Sequence, residues 1–343
     1  MWQSVDILIV GGGIAGLSTA LHLGGAGVQR IMLVDREPLP GFYASGHNAG
    51  IARQLTGCAP HTALAIAGRH ALDREGLLRL AGGLLLCADA GGLLCLREEA
   101  DGAGVPVEFG DGPLVAGLRA AQHLYVPSDG VIDVHGLLDH CVRGARGAGV
   151  HLHYACEVLG IQPTPLGFEV ETTEGRMRAK TVINAAGAWA GGLGWAAAGA
   201  DPGLRPMRRH LAWSKGGQPL AGPYAWWVDR PLYLRPESGG LLMSPCDEGN
   251  VALPCAGAQP DIDPAARDLL AATFLDLAPG LANRGVDRLW AGIRTFAADR
   301  RFLIRWDPLQ PDLFWVAGLG GHGMTAGLAI GKLAAERILS RLS

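Results

Sequence analysis

Three glycines and one acid define the chemistry open to the first 35 residues. Gly11, Gly13 and Gly16 stand at the G-x-G-x-x-G spacing, and Asp35 follows 19 positions after Gly16. In such a turn the first glycine permits the tight bend, the second lets backbone approach a pyrophosphate, and the third lets helix pack on strand. The N–H groups of Ile14 and Ala15 at the helix start attract phosphate. Asp35 is placed to accept hydrogen bonds from an adenosine ribose. With 52 glycines in the chain the triplet alone is a weak signal, and the order of its surroundings carries the reading. An apolar run (5–10) precedes it, a helical pattern follows, and a second apolar run closes on Asp35. That is a dinucleotide-binding βαβ unit.

Positioning such a unit requires more strands of the same sheet, and two distant segments supply them. KTVINAAGAW (180–189) reads as a buried strand ending in small residues, with Gly187 allowing a ligand close approach. The stretch 313–339 reads as a buried strand, a glycine loop and a helix beginning near Met324. Between them, 203–256 alternates as antiparallel strands do, and 264–281 is helical by pattern. A helical segment carries Leu72, Leu77, Leu78 and Leu80, and LLLCAD and LLCLR in 82–117 read as short strands. Asp133 is a plausible N-cap for a helix in 129–150. The fold class is α/β: a Rossmann-like nucleotide domain (1–82, 128–192 and 286–343) carrying an inserted substrate domain on an antiparallel sheet (83–127 and 193–285).

Composition narrows the function. The 343 residues suit two domains, and with 49% hydrophobic and 18% charged residues the chain can bury a sizeable core. A net charge of -3 and three lysines argue against a nucleic-acid surface. No apolar run reaches the roughly 18 residues of a membrane span, and no basic leader precedes the first strand, which leaves only peripheral membrane contact open. Seven cysteines without a C-x-x-C pair favour reduced thiols and a cytoplasmic location. The eleven histidines show no metal-ligand spacing, so no metal site is expected.

GGGIAG with Asp35 and Arg36, GHNAG (46–50), DGVIDVHGL (129–137), CEVLGI (156–161), NAAGAW (184–189), WAGIRTFAAD (290–299) and GLGGHGMT (318–325) together resemble the D-amino-acid oxidase-like flavoproteins. The resemblance covers nearly the whole chain in order. MRRHLAWS (207–214) and PLYLRPESGGLLMSP (231–245) bring it nearest to bacterial D-amino-acid dehydrogenases of the D-arginine type. It implies non-covalent FAD, since the tethering cysteine of the sarcosine-oxidase branch corresponds roughly to Gly292. It implies Asp35 and Arg36 at the adenosine and Val158 near the adenine. Ser45, Gly46, Asn48, Ala49 and Gly50 would line the isoalloxazine edge, and Ala186, Gly187 and Trp189 would border the cofactor. Gly320, Gly321, His322, Gly323, Met324 and Thr325 would put a helix N-terminus beside the flavin pyrimidine ring, where its positive end stabilises reduced flavin.

The same resemblance implies oxidation at a carbon α to a carboxylate, by hydride transfer to flavin N5. Arg294, Arg209 and Tyr233 are the implied carboxylate clamp, an arginine fork matching the anion and a phenol adding a hydrogen bond. Each residue has a plainer reading: Arg294 paired with Asp299, Arg209 and Arg208 on a solvated strand, Tyr233 in the core. Ile51 and Thr56 stand where the D-arginine type has histidine and tyrosine, which argues against a basic substrate. His322, ahead of His47 and His210, is the candidate for any base, and Trp226 with Trp227 could wall the side-chain pocket. LLMS (241–244) has no lysine where sarcosine-oxidase-like relatives place one over the flavin to favour oxygen, so the resemblance implies a quinone or carrier as acceptor. The expected activity is oxidation of a D-amino acid or small secondary amino acid to the imino and 2-oxo acid. The alternatives are a 2-hydroxy acid dehydrogenase of the L-2-hydroxyglutarate type, suggested by GHNAG, and a non-catalytic flavin-binding or electron-transfer subunit.

Overall fold

The computed structural model describes residues 4–89, 91–199, 202–215 and 222–342. Its first unit follows the apolar pattern: strand β1 (Ser4–Val10), helix α1 (Ile14–Gly25) and strand β2 (Ile31–Val34). β1 lies parallel between β2 and the strand Gly175–Asn184, and the sheet extends in parallel to His151–His153 on one side and Leu313–Ala317 on the other. Antiparallel strands complete it, Val158–Thr164 with Gly167–Thr172 and, at the far end, Leu303–Trp306. β1 reads as one continuous apolar run because both its faces are covered. Ile7 and Ile9 meet α1 and the C-terminal helix (Gly323–Leu342), while Leu8 and Val10 meet a second cluster with Val182 and Trp315. Truncating a side chain such as Ile9, fully buried here, costs about 2–5 kcal/mol in a core of this kind.

Among the described residues the second sheet has nine strands. Its neighbours are antiparallel except Tyr224–Trp227, which runs parallel to Gly83–Cys87. The helix Ala266–Leu277 covers one face through Leu270, Phe274 and Leu277. The strand Arg288–Phe296, grouped by sequence with the nucleotide domain, belongs to this sheet instead: it pairs with Arg205–Ser214 over nine positions from Arg205–Phe296 to Trp213–Arg288. A three-stranded sheet of Ile51–Ala52, Gly130–Ile132 and Leu78–Leu80 lies beside the loop 46–50.

Two local expectations are corrected. LLCLR opens the helix Leu94–Ala103, because Leu96 and Ala100, four apart, share a buried face and Gly104 closes the helix in the left-handed region at φ 66°. The helix carrying Leu72 ends at Arg74, and after Gly76 at φ 69° the chain becomes the strand Leu78–Leu80. Asp133 does cap the helix Val134–Gly147, its Oδ1 accepting from the Gly136 N–H at 2.9 Å. Residues 216–221, within the antiparallel stretch read from sequence, lie outside the described residues. Among the described residues no helix is long and apolar enough to cross a membrane, and no cluster of metal-ligating side chains occurs.

Candidate active site

The glycine turn is shaped by close contact. A Cβ on Gly11, at φ 118°, would overlap the Ala185 carbonyl, and one on Gly16 would overlap the Gly11 carbonyl. α1 begins at Ile14 with Gly13 as its N-cap and no capping side chain, so its positive end is presented to the cleft that Gly13, Ile14 and Ala15 line. The Ile14 N–H alone is taken, donating to Ser45 Oγ at 2.9 Å. Asp35 closes the turn from the other side: its Oδ2 accepts from the Gly12 N–H at 2.5 Å and its Oδ1 from the Glu37 N–H at 2.7 Å. Burial raises the Asp35 carboxyl above its ordinary range.

From Asp35 the cleft runs past Arg36, Tyr43 and Trp189, over Ala186 and Gly187, to Gly292 and the glycine loop. Arg36 lies 4.0 Å from the Trp189 ring centre and 5.4 Å from that of Tyr43. Glu37, which no motif singled out, organises this mouth. Only 2% exposed, it accepts from the Tyr43 hydroxyl at 2.6 Å, from Arg36 Nε at 3.1 Å and from the Gly257 N–H at 2.9 Å, which draws a loop of the second sheet across the opening. Burial, then Glu37, pushes the Tyr43 phenol up to about 12.

The loop 45–50 is held by its own bonds. Asn48 Oδ1 accepts from the Gly50 N–H at 2.7 Å, Asn48 Nδ2 donates to the Ser45 carbonyl at 2.8 Å, and the Gly46 N–H donates to the Tyr43 carbonyl at 3.0 Å. The Gly46 and Gly50 N–H groups are thus engaged within the loop, and it is the loop's shape that borders the cleft. Ala49 is fixed through its carbonyl, which accepts from Arg235 Nε.

At the far end the proposed clamp comes together. Arg209, Tyr233 and Arg294 line one cleft with Gly292, Gly320, Gly321, Gly323 and Met324. The C-terminal helix starts at Gly323, one residue from the expected position, and points its N-terminus into the cleft. Arg209 is 4% exposed and donates to Glu248 Oε1 at 3.2 Å. Arg208 turns away to Asp263 at 2.6 Å, whereas Arg209 lines the cleft. Tyr233 is fully buried, with no hydrogen-bond partner of acceptable geometry for its hydroxyl, and burial raises its pKa. Arg294 makes no hydrogen bond or ion pair among the described residues. Its expected alternative partner, Asp299, instead accepts from the Arg301 N–H at 2.9 Å. Burial, then the nearby Arg209 guanidinium, pulls Arg294 down to about 10, so it is still a cation at neutral pH.

Beyond Arg294 a cavity of about 200 Å³ is lined by Arg53, Trp226, Glu248, Arg300, His322 and Thr325, among others. Arg53 was not anticipated from sequence. It sits one residue past the short strand Ile51–Ala52, with its guanidinium carbon 4.2 Å from the Trp226 ring centre. Trp226 also stands 4.7 Å from the Tyr233 ring and walls the site, whereas Trp227 is 1% exposed in the core and donates to the Arg119 carbonyl. Burial, then Arg53 and Arg294, holds His322 well below the ordinary histidine range, so it is neutral here. His210 is committed to Asp247 at 2.7 Å. Thr325 donates to the Ile51 carbonyl at 3.1 Å, and Val158 starts a strand away from the residues lining the cleft.

A glycine turn that a Cβ would fill, an acid past β2 and a cleft leading to two helix N-termini fit an FAD, and the arginines at its end fit an anionic substrate. Fold and site together define a flavin-dependent oxidoreductase. Residues 6–337 match the DAO family model, described as FAD dependent oxidoreductase, and the chain belongs to that family. It is 27% identical over 364 residues to 4-methylaminobutanoate oxidase (formaldehyde-forming) of Paenarthrobacter nicotinovorans, covering 98% of this chain and 44% of the relative. To glycine oxidase of Geobacillus kaustophilus it is 26% identical, covering 98% and 94%. The chain spans less than half the length of several curated relatives, including 28% of mouse mitochondrial dimethylglycine dehydrogenase. Among solved structures, L-proline dehydrogenase from P. horikoshii superimposes with a TM-score of 0.87 at 21% identity, covering 99% of this chain and 95% of that one. The G. kaustophilus glycine oxidase gives 0.83 at 23%, covering 98% and 95%.

Proposed function

We propose that the protein oxidises the carbon bearing the amine of a small amino acid, as a D-amino acid or a secondary amine, to the imino acid that water converts to the 2-oxo acid. The observation that carries this reading is Arg294, buried at the end of the cofactor cleft beside Tyr233 with no carboxylate partner among the described residues. Bound FAD supplies the hydride acceptor. Arg294 offers a fork to the substrate carboxylate, and the Tyr233 hydroxyl offers one further donor. Arg209 is held by Glu248 and reinforces the positive field. Trp226 shapes the wall against the side chain, and Arg53 behind it repels a basic one. The neutral His322 holds no proton that the reaction must displace.

No lysine lines the cleft or the cavity beyond it among the described residues, which supports a quinone or carrier as electron acceptor rather than oxygen. Seven free cysteines support a reducing, cytoplasmic compartment. The test is a panel of D- and L-amino acids, N-alkyl amino acids and 2-hydroxy acids, scored anaerobically by bleaching of the flavin absorbance. Bleaching by amino acids and not by their decarboxylated amines is the expected result. Bleaching confined to 2-hydroxy acids, or by none of the panel, would overturn the reading.

A further inference from the structure

Four arginines line the cavity beyond the clamp, Arg53, Arg209, Arg294 and Arg300, and a single carboxylate, Glu248, accompanies them. That carboxylate is already shared: Oε1 accepts from Arg209 at 3.2 Å and Oε2 from Arg300 at 2.5 Å. Arg294 is accounted for by one substrate carboxylate. Arg53 is not.

Arg53 Nε is buried without a hydrogen-bond partner, and the side chain makes no ion pair among the described residues. The acids nearest to it are engaged elsewhere. Asp129 accepts from the Tyr224 hydroxyl at 2.5 Å and from the Gln54 N–H and Nε2 at 3.1 and 2.9 Å. Glu99 accepts from the Thr62 hydroxyl at 2.8 Å and the Gly57 N–H at 3.0 Å. Trp226 supports the guanidinium at 4.2 Å, a contact that orients the group without neutralising it. A buried guanidinium that no carboxylate of the described residues contacts directly is costly, and Arg53 faces the same cavity as Arg294 with His322 also on its wall. The cofactor does not supply the missing anion, because the pyrophosphate turn at Gly11 and Gly13 lies in a part of the cleft that Arg53 does not line.

We propose that Arg53 is a second carboxylate anchor and that the preferred substrate is a dicarboxylic amino acid, one carboxylate held by Arg294 and Tyr233 and the other by Arg53. This rests on the carboxylate-clamp reading above. A cavity of about 200 Å³ suits a short dicarboxylate, and the forked donors of both arginines line it. The second carboxylate can belong to the side chain or to a substituent on nitrogen, since Arg53 reads its charge and reach only.

Redox-inert acids test this on the FAD-loaded protein, with dissociation constants taken from calorimetry and from perturbation of the flavin spectrum. Succinate and glutarate are compared with propionate and butyrate. Each dicarboxylate is expected to bind about ten- to a hundredfold tighter than its partner. Arg53→Gln should erase that preference while leaving the monocarboxylates nearly unchanged, and Arg53→Lys should keep part of it. Arg294→Gln should weaken both classes. Dicarboxylates binding no tighter than monocarboxylates, or Arg53→Gln weakening both classes alike, overturns the proposal and leaves the clamp standing. Arg294→Gln without effect on monocarboxylates overturns the clamp itself. Should Arg53→Gln fail to retain FAD, the Arg53→Lys protein and the parent comparison decide the matter between them.

Discussion

The backbone of Gly321 lies against the guanidinium of Arg294, so close that a Cβ on Gly321 would stand 2.7 Å from Arg294 Nη1. Gly321 does not need glycine for its backbone conformation, since only Gly318 and Gly320 of this loop have positive φ. Its missing side chain leaves room for the Arg294 guanidinium. Gly321→Ala should therefore displace the guanidinium and lower kcat/KM by about 10- to 100-fold, with FAD content and Tm near those of the parent. Unchanged kinetics would show that Arg294 tolerates the shift and is not held at its working position by this loop.

Removing the guanidinium is the stronger test. Losing one buried partner of a charge-assisted pair costs roughly 2–5 kcal/mol, so Arg294→Ala should lower kcat/KM towards a carboxylate substrate by about 30-fold to several thousand-fold. Decarboxylated analogues should react poorly with the parent and lose little more in the variant. Near-normal kcat/KM in Arg294→Ala would remove the clamp.

His322 should contribute no ionisation to the kcat/KM profile near pH 6.5, where an ordinary histidine titrates. Its pKa is held well below that value by burial and then by Arg53 and Arg294, so the neutral form prevails at neutral pH. His322→Asn should retain the limb due to the substrate amine. A limb near pH 6.5 that vanishes in the variant would restore His322 as a base.

Asp129 makes stability depend on pH in an unusual sense for a carboxylate. Burial raises it to about 6 in the folded protein, against about 3.9 in an unfolded chain, so between these values the native state binds the extra proton. Its contribution therefore falls as pH rises from about 4 to 6 and stays low above that. Asp129→Asn removes the titration, and the Tm of the parent relative to the variant should climb as pH is lowered from 7 to 5. A constant difference would place the folded pKa of Asp129 in the ordinary carboxylate range.

Filling the cofactor turn should separate binding from folding. A bulky residue at Gly13, which borders the cleft, should yield a protein without yellow colour, whereas the parent should release FAD on acid denaturation. Colour remaining with the denatured polypeptide would contradict non-covalent binding.

The nucleotide half was legible because its elements carry their own signals: the apolar run of β1, the glycine spacing and Asp35 are all local. That Arg294 and Tyr233 line one cleft was suggested only by resemblance, since nothing near either residue in sequence announces that they meet. Arg53 and Glu37 escaped both routes. Each is one charged residue whose importance depends on what it faces across the fold, Trp226 and the cavity for Arg53, Tyr43 and Gly257 for Glu37. LLCLR was misread because a five-residue apolar run cannot distinguish strand from helix, and the deciding residues, Ala100 and Gly104, lie beyond it.

The strand Arg288–Phe296 is paired into the second sheet along its length, yet its end is tied to the glycine loop of the first domain. The Gly320 N–H donates to the Thr295 carbonyl at 2.9 Å, and Phe296 bridges to Leu319. An engineer wishing to graft a different substrate sheet onto this cofactor domain would have to move the strand, the loop and the start of the C-terminal helix as one piece. A crossover point cut between 296 and 319 would leave the arginine on one parent and the glycine that makes room for it on the other.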